Sequence, residues 1–152
     1  MKKAIAFGDS VLKGVILDTR RCTDTGTRYM ITDNSFTQQC GSRMNMEIEN
    51  YGKFGSTVTT GSNLLDRHVD EICKSHFTLL EFGGNDSDYN WNEIAANPSE
   101  RHSPHTDLRT FSLAYKNLID KVKRLGSRPI MLSLPPLDPD MYFEHVTKGM
   151  DT

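Results

Sequence analysis

The chain has 152 residues, of which 36% are hydrophobic and 25% charged, and its formal net charge is -2. This length fits one domain with a buried core, and the weak charge argues against a nucleic-acid-binding surface. The apolar run near the amino terminus, residues 4–7, is far too short for a signal sequence or a membrane span. The composition predicts a globular protein with neither nucleic acid nor membrane as a partner.

The cysteine content predicts a reduced protein. Cys22, Cys40 and Cys73 are an odd number and have no spacing typical of a metal site. An odd count does not suggest a disulfide framework, so we expect the three thiols to be free and structural. We accordingly expect the protein to be cytoplasmic. No metal or organic cofactor is predicted.

Four short apolar segments predict β-strands, because each is bounded by Gly, Pro or Asn. They comprise residues 4–7, 46–50, 77–82 and 129–134. Between the first two, residues 19–41 are irregular and predict a surface excursion or a small hairpin. Residues 90–106 predict a long loop that borders a site.

Apolar residues at helical spacing predict helices over residues 11–17, 63–73 and 107–125. The last is the clearest, with a cap residue at its start, basic residues near its end and Gly126 as its stop. Strands that alternate with helices predict a parallel sheet with right-handed crossovers.

Polar groups follow three of the predicted strands. Gly8-Asp9-Ser10 follows the first strand, a segment from Asn50 to Gly55 the second, and Gly83-Gly84-Asn85-Asp86 the third. Because the carboxyl ends of parallel strands share one edge of a sheet, these loops are expected to form one site. A serine at a sharp strand-to-helix turn exposes its hydroxyl there.

These three blocks resemble those of the GDSL, or SGNH, hydrolases. Gly8-Asp9-Ser10 matches the nucleophile block, although Val11 replaces the usual Leu or Ile. Asn50 with Gly55 is similar to the second block and residues 83–86 to the third, in the order of the family. The resemblance implies a flavodoxin-like α/β fold, three-layered as α/β/α, with a parallel sheet.

The resemblance also implies roles for individual residues. Ser10 would attack an acyl carbon, while its own N–H, that of Gly55 and the side-chain amide of Asn85 would face the oxyanion. A glycine lets the backbone approach closely, and an amide donates a hydrogen bond without carrying charge. Four further residues are candidates for substrate contact: Asp9, Asp86, Tyr89 and Trp91.

Structural alternatives remain open for each of these residues. Ser10 could cap the following helix, Gly55 could serve only a turn, and Asn85 could bond within its own loop. Asp9 is also suited to tying its turn together, and Asp86 to capping or solvating a loop.

The general base is not present in this chain. A serine hydroxyl needs a base that is itself oriented by a third group, and the resembled family supplies both from an Asp-x-x-His motif. The sequence contains no such motif. His145 is the best substitute by position, but its spacing from Asp138 and Asp140 does not match the family.

The chain also resembles only the amino-terminal part of such an enzyme. We expect one incomplete domain over residues 1–152. Its sheet would have the predicted strands in the order second, first, third and fourth, and the fifth strand of the family would be missing. The fourth strand would then be an exposed edge, which predicts self-association.

The sequence therefore predicts a serine ester hydrolase of lipase or acylhydrolase type, impaired in this chain by the missing histidine base. The alternative is a non-catalytic module that binds an acyl or carbohydrate ligand on the same fold. A flavodoxin-like nucleotide binder is disfavoured, because the chain has no Gly-rich phosphate loop. The identity of the ester stays open.

Overall fold

A computed structural model describes residues 1–23 and 28–150 of the chain. Its elements in chain order are β1 (Lys2–Gly8), α1 (Ser10–Lys13), β2 (Val15–Leu17), β3 (Tyr29–Ile31), α2 (Phe36–Met44), β4 (Met46–Asn50), α3 (Val58–Arg67), α4 (Val69–Lys74), β5 (Phe77–Glu81), α5 (Gly84–Ser87), α6 (Trp91–Ala96), α7 (Leu108–Arg124), β6 (Arg128–Met131) and α8 (Pro139–Thr147).

Four of the strands form a parallel sheet in the order β4-β1-β5-β6. In the register, Ala6 of β1 is paired with Asn50 of β4 on one side and with Leu79 of β5 on the other. This is the predicted order of second, first, third and fourth strand, with helices connecting the strands. The α/β fold class is thereby confirmed.

The core explains why β1 is apolar throughout its inner part. Residues 4–7 are all buried, as expected for a central parallel strand covered on both faces. Ile5 and Phe7 belong to a cluster that includes residues of α3 and α7, whereas Ala4 and Ala6 pack with Leu12 of α1. Burial on both faces therefore fixes β1, and with it the position of the turn that follows.

Helix α7 confirms the clearest helical prediction. The Asp107 carboxylate caps its first turn by accepting the N–H groups of Arg109 and Thr110. Its buried face carries Tyr115, Leu118 and Val122. The helix ends before Gly126, which has a φ of 84°, a conformation that glycine adopts without strain.

Two predicted helices are wrong in extent. The helix predicted over residues 11–17 ends at Lys13, because Gly14 has a φ of 83°, and Val15–Leu17 pairs instead with Tyr29–Ile31 as an antiparallel hairpin. The helix predicted over 63–73 is two helices, α3 and α4, that meet at His68. The ring of His68 packs on that of Tyr51, with centroids 3.9 Å apart.

The sequence also missed several short elements. Residues 19–41, predicted as a surface excursion or a small hairpin, include the hairpin strand β3. Helix α2 also begins in this segment, and its first turn is capped by Ser35. Residues 24–27 of the segment lie outside the described part. The loop over 90–106 contains α6, and α8 follows β6. Over residues 1–23 and 28–150, none of the helices combines the length and apolar character needed to cross a bilayer.

Candidate active site

Ser10 stands at the tight turn between β1 and α1. The Asp9 side chain caps the helix by accepting the Val11 N–H at 2.8 Å. Gly8 is required in this turn, because a Cβ there would lie 2.6 Å from the Glu81 carbonyl oxygen. Ser10 is half-buried and lines a cavity of about 460 Å³ at the carboxyl edge of the sheet. Ser10 thus lies at a cavity beside this turn, and its role as nucleophile stays a prediction.

Asn85 reaches the same turn from the loop after β5. Its Nδ2 donates to the Asp9 Oδ2 at 3.1 Å and to the Ser56 carbonyl oxygen at 3.0 Å. A carboxamide has only two N–H hydrogens, so both are engaged. The structure therefore brings Asp9, Ser10 and Asn85 together, with Asp9 as the link between the other two.

Gly55 lies apart from the cavity wall described above. It is exposed, has a φ of 71° and has room around its Cα, since an added Cβ would meet no atom within 4 Å. Asn50, in the same block, donates from Nδ2 to the Leu12 carbonyl oxygen at 2.7 Å and thereby ties the loop to α1. The oxyanion role of Gly55 stays a prediction.

Asp86 is buried, and its carboxylate contacts the start of a helix rather than lining the cavity around Ser10. Both oxygens of its carboxylate accept the Val58 N–H, at 3.1 and 3.0 Å. This contact fixes the start of α3 against α5. Its predicted contact with substrate remains untested.

Tyr89 and Trp91 line the Ser10 cavity, and their contact with substrate stays a prediction. The Trp91 Nε1 donates to the Asp88 Oδ1 at 2.8 Å, which fixes the indole. Its ring packs edge-on against those of Tyr142 and Phe143, with centroids 6.3 and 5.9 Å away. Helix α8, which the sequence analysis missed, thereby closes one side of the cavity.

The Asp88 carboxyl and the Tyr142 phenol have shifted pKa values in this wall. Burial acts to raise the pKa of Asp88, but the hydrogen bonds from Tyr142, Trp91 and the Tyr89 N–H together lower it. Burial, and then the hydrogen bond to Asp88, raise the pKa of Tyr142 to about 12. Asp88 is therefore held ionised and acts as the anchor of the aromatic wall.

In the described part of the chain, no histidine lines the Ser10 cavity. His145 faces Tyr29, with its Nε2 3.4 Å from the phenol oxygen. His105 places its Nδ1 3.0 Å from the carbonyl oxygen of Asn85. The Lys3 N–H donates to the Nδ1 of His76 at the far end of the sheet.

Sequence reasoning missed Glu81, the last residue of β5. It lines the Ser10 cavity although it is only 3% exposed. Burial, and then the adjacent charge of Asp9, raise the pKa of its carboxyl to about 7. The available signal was an acidic residue at the end of an otherwise apolar, doubly covered strand.

A second cavity, of about 700 Å³, borders the first. It lies between α7 and β6 and is lined by residues that include Phe111, Tyr115, Ile119 and Met131. Leu134 lines both cavities. Over residues 1–23 and 28–150, no three His, Cys, Asp or Glu side chains are grouped as metal ligands would be.

No family model and no curated protein matches the chain significantly by sequence. Its structure does match solved structures. The lipase/acylhydrolase from Enterococcus faecalis is 20% identical with a TM-score of 0.63, over 95% of this chain and 63% of that one. The chain therefore shares the fold of this protein, a parallel sheet flanked by helices.

Two further structures agree on this fold. A protein of the lipolytic G-D-S-L family from Desulfitobacterium hafniense is 20% identical with a TM-score of 0.60, over 97% of this chain and 73% of that one. Est24, a carbohydrate acetylesterase from Sinorhizobium meliloti, is 17% identical with a TM-score of 0.69, over 99% and 73%. The chain thus spans between about three fifths and three quarters of the length of these three proteins.

Proposed function

We propose that this chain is a serine ester hydrolase whose nucleophile is the Ser10 hydroxyl. The observation that supports it most is the meeting of Ser10, Asp9 and Asn85 in one cavity at the carboxyl edge of the sheet. In open α/β sheets this edge is where ligands bind. The shared fold of lipases and carbohydrate esterases adds to this support.

In the proposed reaction, the Ser10 Oγ attacks the acyl carbon and the carbonyl electrons move onto oxygen. The Ser10 N–H, the Asn85 amide and, as predicted, the Gly55 N–H stabilise this oxyanion. The bond to the alcohol then breaks, and the alcohol leaves with the serine proton. Water hydrolyses the acyl-enzyme and returns a proton to Ser10. For Asn85 to donate, the oxyanion must replace or share its contact with the Ser56 carbonyl.

We further propose that the reaction is slow in this chain. None of the described residues that line the cavity is a histidine, and the carboxylates of Asp9 and Asp88 are engaged in other contacts. Removing the base or the nucleophile of a serine hydrolase lowers kcat by about 10⁶-fold. Acyl transfer would then depend on the Asn85 amide and on positioning alone.

The proposed substrate is a small acyl ester, with Tyr89 and Trp91 as its contacts in the cavity wall. Asp9 and Asp86 serve the site from within, because their carboxylates hold backbone and amide groups of the surrounding loops. The related structures include both a lipase/acylhydrolase and a carbohydrate acetylesterase. We therefore leave the length of the acyl group to be measured.

Release of p-nitrophenolate from p-nitrophenyl acetate tests this function. We expect slow release that is lost in Ser10→Ala and retained in Ser87→Ala, because Ser87 lines the same cavity and is a matched control serine. Equal release from Ser10→Ala and the unaltered chain would refute Ser10 as nucleophile. Fast release that depends on Ser10 would refute the proposed impairment.

The second candidate is a non-catalytic module that binds acyl or carbohydrate ligands. The absence of a histidine from the described cavity wall favours it. Calorimetry with an acetylated xylo-oligosaccharide distinguishes the two. Binding that Trp91→Ala weakens, with no ester cleaved by the unaltered chain, would support the module over the hydrolase.

We also propose that copies of the chain associate through β6. In the described residues, no strand pairs with the outer edge of β6, and Met131 on this strand is 61% exposed. The apolar cavity beside it adds to the surface that a second copy would cover.

We also propose a reducing, cytoplasmic location for the protein, because Cys22, Cys40 and Cys73 are free.

A further inference from the structure

Glu81 is a buried acid that the proposed reaction does not use. Its Oε2 accepts the Asp9 N–H at 3.3 Å, whereas its Oε1 has no hydrogen-bond partner in the described structure. The carboxyl lies directly beneath the turn, since a Cβ on Gly8 would be 2.8 Å from its Oε2. A buried polar atom without a partner requires a physical explanation.

The neighbouring carboxyl of Asp9 supplies that explanation. Asp9 and Glu81 are each 3% exposed, and within residues 1–23 and 28–150 neither forms an ion pair. Ionising two adjacent buried carboxyls with no cation beside them is costly, so one of the two keeps its proton to a higher pH than usual.

The hydrogen bonds indicate which residue carries the proton. Both Asp9 oxygens already accept, Oδ1 from the Val11 N–H at 2.8 Å and Oδ2 from the Asn85 amide at 3.1 Å. Glu81 accepts the Asp9 N–H at 3.3 Å, and its Oε1 has no hydrogen-bond partner in the described structure. Glu81 is therefore the residue that retains the proton.

We propose that Glu81 is a positioning residue for Ser10, whose retained proton avoids a second negative charge beside Asp9 and thereby holds the Asn85 amide beside the nucleophile. The inference rests on the proposed roles of Ser10 and Asn85. Glu81 itself does not touch the substrate in this account. It braces the turn through the Asp9 N–H and controls Asn85 through the Asp9 carboxylate.

The surroundings of Glu81 make this arrangement sensitive to pH. Asp9 faces it from the turn and Tyr115 from α7, and Asp86 of α5 lies close enough to Tyr115 to affect it. None of these groups is cationic. Burial, and then the charge of Glu81, raise the pKa of Tyr115 to about 12, so the phenol stays neutral. Loss of the Glu81 proton would place two negative charges side by side and loosen the contact between Asp9 and Asn85.

The side-chain amide resonances of Asn85 report on that contact directly. We would follow them by NMR from pH 5.5 to 8.5 in the unaltered chain, in Glu81→Gln and in the control Glu47→Gln, an exposed strand residue paired with Lys3. The expected result is one transition near pH 7 in the unaltered chain and in Glu47→Gln, and none in Glu81→Gln. No transition in the unaltered chain, or the same transition in Glu81→Gln, would overturn the inference.

The rate at which a fluorophosphonate labels Ser10 connects this contact to the nucleophile. Glu81→Gln, whose amide is uncharged, should keep the rate of the unaltered chain at pH 6 and lose its pH dependence; Glu81→Leu should label at least tenfold more slowly. If Glu81→Leu is labelled as fast as the unaltered chain, the inference is overturned. If Glu81→Leu does not fold, the inference is judged by the Asn85 amide resonances of Glu81→Gln. If Ser10 is labelled in no variant, the proposed nucleophile fails, while the resonances still judge Glu81.

Discussion

Replacing Glu81 with glutamine should remove a large pH dependence from the stability of this protein. Burial and the neighbouring Asp9 raise the pKa of Glu81 from 4.5 to about 7 in the folded state. Between these values the native chain keeps a proton that the unfolded chain has lost, so the free energy of unfolding falls as the pH rises. At about 1.36 kcal/mol per pH unit, the full loss is about 3 kcal/mol.

The measurement is urea denaturation followed by circular dichroism at intervals from pH 4 to pH 8. The difference in unfolding free energy between the unaltered chain and Glu81→Gln isolates Glu81, because all other titrating groups are common to both. This difference should change by about 3 kcal/mol in favour of Glu81→Gln between pH 4.5 and 7.5. Glu47→Gln, on the exposed surface of β4, should show a nearly constant difference. A constant difference for Glu81→Gln as well would refute the claim that Glu81 is protonated in the folded state.

Three further changes test the packing and the edge of the sheet. Gly61→Ala would push a methyl into the ring of Phe82 and should destabilise the fold by about 1–3 kcal/mol; an unchanged urea midpoint would contradict this packing. Tyr115→Phe removes the bond from the phenol to the Leu80 carbonyl oxygen, 2.8 Å long. This substitution should lower the free energy of unfolding by only about 0.5 kcal/mol, because the Leu80 carbonyl also accepts a sheet N–H. A decrease above about 2 kcal/mol, measured by thermal denaturation, would argue against this account. Met131→Lys should shift sedimentation velocity profiles towards the monomer, whereas profiles already independent of concentration in the unaltered chain would exclude association through β6.

Local patterns were sufficient where one signal dominated. The predicted limits of α7 lie within one residue of the observed ones at each end. The agreement is close because Asp107 caps the first turn and Gly126 follows the last residue of the apolar pattern. The four strands of the parallel sheet were each located, since each is a short apolar run between turn residues.

Prediction failed where contacts distant in sequence decided the structure. The apolar spacing of residues 11–17 is compatible with a helix, but β2 forms because Val15–Leu17 pairs with Tyr29–Ile31. The helix predicted over 63–73 breaks where the ring of His68 packs against Tyr51. Neither partner is visible within the local pattern.

The sequence by itself determined the place of Ser10, because Gly8-Asp9-Ser10 comes directly after a buried strand and parallel strands end at one edge. The order of the strands came from the resemblance to the GDSL hydrolases. The sequence also determined that Asn85 would lie near that edge. Only the tertiary structure decided how these residues are connected. Asp9 and Glu81 are 72 positions apart along the chain, and their shared proton depends on burial by other elements. Burial depends on packing, which no local pattern records.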